Sequence, residues 1–329
     1  MKNIKSYFIL LFMAAVVFSG FKSIQQQDVD PTSEFGKLVA YLEANGNFIN
    51  SDMAPAIITP EEIKDNLKND KYLVLDIRSD SWFSYGHIKN AKNVEGPKLL
   101  EYFQNEIDPT AYDKITIVCY SGQSAAYYTS LLRLYGYNNV YNLKWGMSSW
   151  ADDFAANIWT KNTANDYSDK LETTANPMPE KGNVPTINTG KTEAKDILQQ
   201  RIVEAFAKPY KEFVVNPDVA VENPSDYYVV NYMNEEQYNT GHVKGAVLYQ
   251  PNKSLSSTED LYTLPTDKKV LVNCLTGQHA AYVVAYLQVL GYDVANLAYG
   301  ANGYMNKTLV EKGWNGFSKD EIKNFPVVE

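Results

Sequence analysis

The sequence predicts an α/β protein built as two tandem domains, each a mostly parallel sheet flanked by helices. Three observations carry this. Tyr72–Ala91 (YLVLDIRSDSWFSYGHIKNA) returns 155 residues later as Tyr227–Ala246 (YYVVNYMNEEQYNTGHVKGA), so that Gly86-His87 aligns with Gly241-His242 without a gap. Short apolar runs of buried-strand type alternate with helical patterns, the signature of a sheet covered on both faces. The chain's only two cysteines, Cys119 and Cys274, keep the same offset of 155. A repeat this long is a duplicated domain and not a solenoid unit.

The elements follow in order. Glu34–Ala44 places Phe35, Leu38, Val39 and Leu42 on one helical face, and Asn45-Gly46 closes it. Ile57-Ile58 leads into Thr59-Pro60-Glu61-Glu62, where Thr59 caps, Pro60 suits the first turn and Glu62 completes a capping box. Tyr72–Ile77, Ala91–Val94, Ile115–Cys119 and Val140–Leu143 read as strands, and Ser124–Tyr135 as a helix ended by Gly136. The segment 160–192, rich in Thr, Asn, Lys and Pro, reads as a linker, and a helix over Glu193–Lys208 opens the second half. The expected organisation is a signal peptide at 1–23, a first domain at 33–158, a polar linker at 159–192 and a second domain at 193–329.

Length suits two domains, each large enough to bury its own core. A net charge of −9 argues against nucleic acid or an anionic membrane as partner. Lys2 and Lys5 precede the apolar run Tyr7–Phe18, with Ser19, Gly20 and Ser23 as small residues for cleavage, which is the pattern of an export signal. Twelve apolar residues are too few to span a bilayer comfortably, and no cysteine near the junction offers a lipid anchor. The protein is therefore expected in a periplasm or at a cell surface, with no stable membrane insertion after signal cleavage; an uncleaved membrane anchor is the alternative.

No metal or nucleotide cofactor is expected. Neither cysteine belongs to a CxxC pair, the histidines are only His87, His242 and His279, and Thr189-Gly190-Lys191-Thr192 lacks the earlier glycine and the strand of a phosphate-binding loop. A bridge between the cysteines would require the two domains to dock site to site.

Each cysteine ends a predicted strand and opens a loop with a central glycine, followed by a helix: Cys119-Tyr120-Ser121-Gly122-Gln123-Ser124 and Cys274-Leu275-Thr276-Gly277-Gln278-His279. Backbone N–H groups of such a loop converge on the sulfur, with a helix N-terminus behind them, and both effects favour a thiolate. Gly122 and Gly277 allow positive φ and close approach. The alternative is a buried, inert thiol at a strand end.

Taken together, Asp76-Ile-Arg78, the Gly86-His87-Ile-Lys-Asn-Ala91 segment, the Cys119 loop and Gly136-Tyr137 through Trp145-Gly146 resemble the rhodanese family. Gly241-His242 through Ala246, the Cys274 loop, Gly291-Tyr292 and Tyr299-Gly300 repeat the resemblance. It implies a tandem sulfurtransferase in which cysteine takes sulfur from a small donor, holds it as a persulfide and passes it to a thiol or cyanide. Asp76 and Arg78 would support the first site, and the loop residues would bind or support substrate.

Neither loop carries the Arg or Lys with which many family members bind anionic donors, and Ala125 or Ala280 stands where related phosphatases carry arginine. In the second half Asn231 and Met233 replace Asp76 and Arg78, so intact support favours Cys119, although the family more often uses its C-terminal domain. His279 is a candidate to lower the pKa of Cys274 or to bind substrate. The alternative class is a non-catalytic binding or scaffolding module.

Overall fold

The computed structural model describes residues 29–167 and 169–329; the expected signal peptide lies outside the described residues. The first half runs α1 (Glu34–Ala44), β1 (Ile57–Ile58), α2 (Pro60–Asp65), β2 (Tyr72–Asp76), α3 (Asp80–Tyr85), β3 (Lys92–Asn93), α4 (Leu99–Asn105), β4 (Lys114–Val118), α5 (Gln123–Tyr135), β5 (Val140–Leu143) and three short helices, α6 (Met147–Trp150), α7 (Asp152–Ala155) and α8 (Trp159–Asn162). The second runs α9 (Ala194–Phe206), β6 (Val214–Val215), α10 (Pro217–Glu222), β7 (Tyr228–Tyr232), α11 (Glu235–Thr240), β8 (Val247–Tyr249), β9 (Val270–Asn273), α12 (Gln278–Val289), β10 (Val294–Leu297) and α13 (Asn302–Lys312).

Two five-stranded sheets result, ordered β1-β5-β4-β2-β3 and β6-β10-β9-β7-β8, with every strand pair parallel. β4 (KITIV) and β9 (VLVN) are central and buried almost throughout, as suits Ile-, Leu- and Val-rich strands in a sheet covered on both faces. The sequence of β4 to α5 therefore puts Cys119 beyond the carboxyl end of a central strand, and β9 to α12 does the same for Cys274. This is where parallel sheets leave crevices.

The domains do not hang on a free linker. α5 and α12 lie against each other between the two sheets, with α1 and α9 beside them, and one apolar core runs through both halves. α12 is buried on every face, as its all-round apolar sequence demands. Tyr282 OH of α12 lies within hydrogen-bond distance of two acceptors, Ala56 O at 3.0 Å and Asn142 Oδ1 at 2.9 Å, which share its one proton, and Ser130 of α5 donates to Tyr282 O at 3.1 Å. Each fully buried Leu or Val in this layer contributes about 1.5–3 kcal/mol, so the interface is as apolar as a domain interior.

The two halves also exchange their trailing segments. After α8 the chain crosses to the second domain, where Leu171 packs and Glu172 and His242 exchange backbone hydrogen bonds of 2.9 Å in each direction. After α13 it crosses back: Lys323 N donates to Ser149 O, Phe325 N to Trp150 O, and His87 and Val328 pair antiparallel. Both Gly-His motifs thus receive a segment from the other half. Each imidazole stacks on the aromatic ring four residues earlier, His87 on Phe83 and His242 on Tyr238, with ring centroids 3.8 Å apart.

Candidate functional site

Each loop folds around its sulfur. Gly122 N and Ala125 N donate to Cys119 Sγ at 3.1 and 3.4 Å; Gly277 N and Ala280 N donate to Cys274 Sγ at 3.1 and 3.2 Å. Neither α5 nor α12 has a hydrogen bond from a side chain at its capping glycine, so the sulfur takes the place of a cap for the first-turn amides. Gly122 and Gly277 adopt φ of 84° and 73°, and a Cβ at either would run into a glutamine from the other domain.

Those glutamines tie the loops together. Gln123 Oε1 accepts from Tyr299 N at 2.9 Å and Asn296 Nδ2 at 3.3 Å; Gln278 Oε1 accepts from Trp145 N and Asn142 Nδ2, both at 3.2 Å. The domains are therefore docked loop beside loop. Both cysteines are nevertheless free thiols. The sequence offered Gln123 and Gln278 as substrate-binding or supporting residues; their carbonyl oxygens are engaged across the interface, and Gln278 also lines the cavity at Cys274.

The two sites differ in what surrounds the sulfur. Asp76 and Arg78 form a fully enclosed pair and not a surface salt bridge: Nε lies 3.0 Å from both carboxylate oxygens, and Nη2 reaches Oδ2 and Gly86 O at 2.7 Å each. The guanidinium also stacks 4.9 Å from the Phe154 ring. In the second domain Asn231 Oδ1 accepts from Asn273 Nδ2 at 2.6 Å, and the same amide reaches Tyr304 OH at 2.8 Å, a neutral network in place of the ion pair.

Around Cys119, Tyr120 OH bonds Ser79, its ring meets Trp82 edge-on at 5.7 Å, and Trp159 Nε1 donates to Ser121 O at 3.0 Å. Ser124 is half-buried in the first turn of α5.

A cavity of about 490 Å³ opens on Cys274, and Cys119 lies outside it. Tyr232, Met233, Asn234, Gln237, Leu275, Thr276, Gln278 and His279 line it from the second domain; Pro55, Ile57, Thr59 and Lys144 come from the first. Sequence support favoured Cys119, but open space is at Cys274. Lys144 is a residue the sequence reading missed. Its signal was available, because Trp145-Gly146 aligns with Tyr299-Gly300, which sets Lys144 against Ala298.

The electrostatics correct two expectations. Burial pushes the Cys274 thiol above its ordinary range, against the pull of Ala280, Thr276 and Gly277 N–H donors, so the loop alone does not produce a low pKa. Burial also pushes His279 down to about 4. At neutral pH it is an uncharged imidazole set edge-on to Tyr232, its Nε2 without a hydrogen-bond partner among the described residues, and it supplies no positive charge to the thiol.

Comparison with known proteins now fixes the family. The rhodanese-like domain model matches residues 59–153 and 220–307, more than half of the chain, and the protein belongs to that family. Among curated relatives, the thiosulfate sulfurtransferase GlpE of Pseudomonas putida is 29% identical over 101 residues, 30% of this chain and 87% of that protein. The tRNA uridine(34) hydroxylase of Chlamydia caviae is 31% identical over 108 residues, 31% of this chain, which spans only 32% of that enzyme's length. A thiosulfate sulfurtransferase structure from Pseudomonas aeruginosa covers 91% of this chain and 48% of its own at 16% identity and a TM-score of 0.30.

Proposed function

We propose that the protein is an exported sulfurtransferase whose working thiol is Cys274, with the first domain as its structural partner. The observation that carries this is the cavity between the domains, which opens on a sulfur held by two loop amides. Membership of the rhodanese-like family supports the reaction class.

In this reading the Cys274 thiolate attacks the outer sulfur of a donor such as thiosulfate; a new S–S bond forms, the donor's S–S bond breaks, and sulfite leaves with the electron pair. A mercapto acid is the alternative donor. The persulfide's terminal sulfur then passes to cyanide or a thiol, regenerating the thiolate. Gly277 N and Ala280 N, with the α12 N-terminus behind them, stabilise negative charge on either sulfur species.

Burial raises the Cys274 pKa, so the thiol has to lose its proton before it attacks the donor. Cys119, 1% exposed, serves as the cap of α5. The export reading rests on the basic and apolar pattern of residues 2–23. Steady-state thiocyanate formation from thiosulfate and cyanide, and turnover of mercaptopyruvate, test the reaction. Cys274→Ser abolishes turnover and Cys119→Ser retains it; the reverse pattern refutes the assignment.

A further inference from the structure

Lys144 has no part in the sulfur chemistry just described, yet among the described residues it is the one Lys or Arg lining the cavity, and no carboxylate among them lines it. It follows β5 directly, its N–H donates to Ile58 O at 2.9 Å, and Ser149 Oγ donates to its carbonyl at 2.7 Å, so its backbone is fixed. Nζ sits 5.3 Å over the Trp145 ring and 3.3 Å from Glu321 Oε2, an oxygen that also accepts from Trp145 Nε1 at 2.7 Å. Glu321 belongs to the trailing segment that crosses from the second domain.

Pro55, Ile57, Tyr232, Met233, Pro251 and Leu275 supply apolar surface to the wall, and Thr59, Asn234, Gln237, Thr276, Gln278, His279 and Asn315 supply uncharged polar groups. A cavity of about 490 Å³ lies in the size range of sites for small organic molecules. A bare inorganic anion would leave most of it unfilled. A cavity whose surface is more apolar than polar, with Lys144 in its wall, suits a ligand with a hydrocarbon body and one negative charge.

Resting on the reading of Cys274 as the sulfur acceptor, we propose that Lys144 of the first domain receives the carboxylate or sulfonate of an organic sulfur donor whose apolar body fills the interdomain cavity. The first domain thereby completes the second domain's site, supplying the cation that the Cys274 loop lacks. Glu321 holds the ammonium in place and partly neutralises it. At the first site the equivalent position is Ala298, which offers no such group.

The test reads charge preference without sulfur transfer, so its failure is distinct from failure of the sulfurtransferase reading. Alkylation of Cys274 by anionic iodoacetate and neutral iodoacetamide is followed by peptide mass spectrometry, and the rate ratio is compared among variants. Lys144→Gln lowers the iodoacetate-to-iodoacetamide ratio roughly three- to tenfold, the scale for one screened charge at a partly exposed site. Lys144→Arg restores the ratio. Glu321→Gln, which keeps an acceptor for Trp145, raises it. In the unaltered protein 3-phenylpropionate protects Cys274 from iodoacetamide at lower concentration than acetate, and Lys144→Gln raises the concentration required. An unchanged ratio in both Lys144→Gln and Glu321→Gln overturns the role of Lys144. Equal protection by acetate and 3-phenylpropionate overturns the organic donor.

Discussion

Replacing Arg78 with methionine probes how the first domain holds its shape. The guanidinium and the Asp76 carboxylate are together no more than 1% exposed, with three contacts of 3.0 Å or less between them. Methionine keeps an unbranched apolar stem against Phe154 but leaves the carboxylate facing a dry interior without its cation. Breaking one partner of such a pair costs about 3–5 kcal/mol, and loss of the bond to Gly86 O adds about 1 kcal/mol. Asp76→Asn with Arg78→Met imitates Asn231 and Met233 of the second domain and removes both charges; it is expected to recover at least about 2 kcal/mol of the single variant's loss. Urea unfolding followed by tryptophan fluorescence reports mainly on the first half and its trailing segment, because four of five tryptophans (Trp82, Trp145, Trp150, Trp159) lie before residue 160. A loss below about 1 kcal/mol in Arg78→Met, or a double variant as unstable as the single, refutes the reasoning.

Other outcomes follow from the same geometry. Gln278→Leu strands Trp145 N–H and Asn142 Nδ2 at the interface and is expected to cost about 1–3 kcal/mol, read as a lower midpoint in thermal unfolding. His279 has a folded pKa of about 4 against an unfolded value near 6.5, so the unfolded chain binds the extra proton and stability falls as pH drops from about 6.5 to about 4. His279→Gln removes about 3 kcal/mol of that pH-dependent change in urea titrations across the window. Truncation after Ser318 removes the pairing of Lys323, Phe325 and Val328 with the first domain and exposes Trp150, lowering stability by about 2–4 kcal/mol. Because burial raises the Cys274 pKa, its alkylation by iodoacetamide is expected to rise with pH through a midpoint above the ordinary thiol range; a midpoint below that range contradicts the burial argument.

Much of the architecture was legible in the residues. The Ile- and Val-rich stretches at 115–118 and 270–272 marked the central strands, and the loop glycines take the positive φ their position requires. The relation between the halves was hidden because composition describes a segment's polarity and not its partners. Residues 160–192 are polar, yet Leu171, Glu172 and Ile187 fasten them, largely through backbone groups and single apolar anchors. The trailing segment 313–329 likewise crosses to Trp150 and His87 through main-chain bonds that no side-chain pattern announces. One signal was present: QHAAYVVAYLQV is apolar all round, which a helix covering only its own sheet does not need. Support residues near Cys119 pointed to the first site, but Asp76 and Arg78 bond each other and the chain around them, and open space lies at Cys274.

The most direct test of the central claim is the sulfur content of each cysteine after the reduced protein meets thiosulfate, or separately mercaptopyruvate. Peptide mass spectrometry is expected to find one added sulfur atom on the peptide carrying Cys274 and none on that carrying Cys119. Added sulfur on Cys119 alone, or on neither thiol with either donor, contradicts the account.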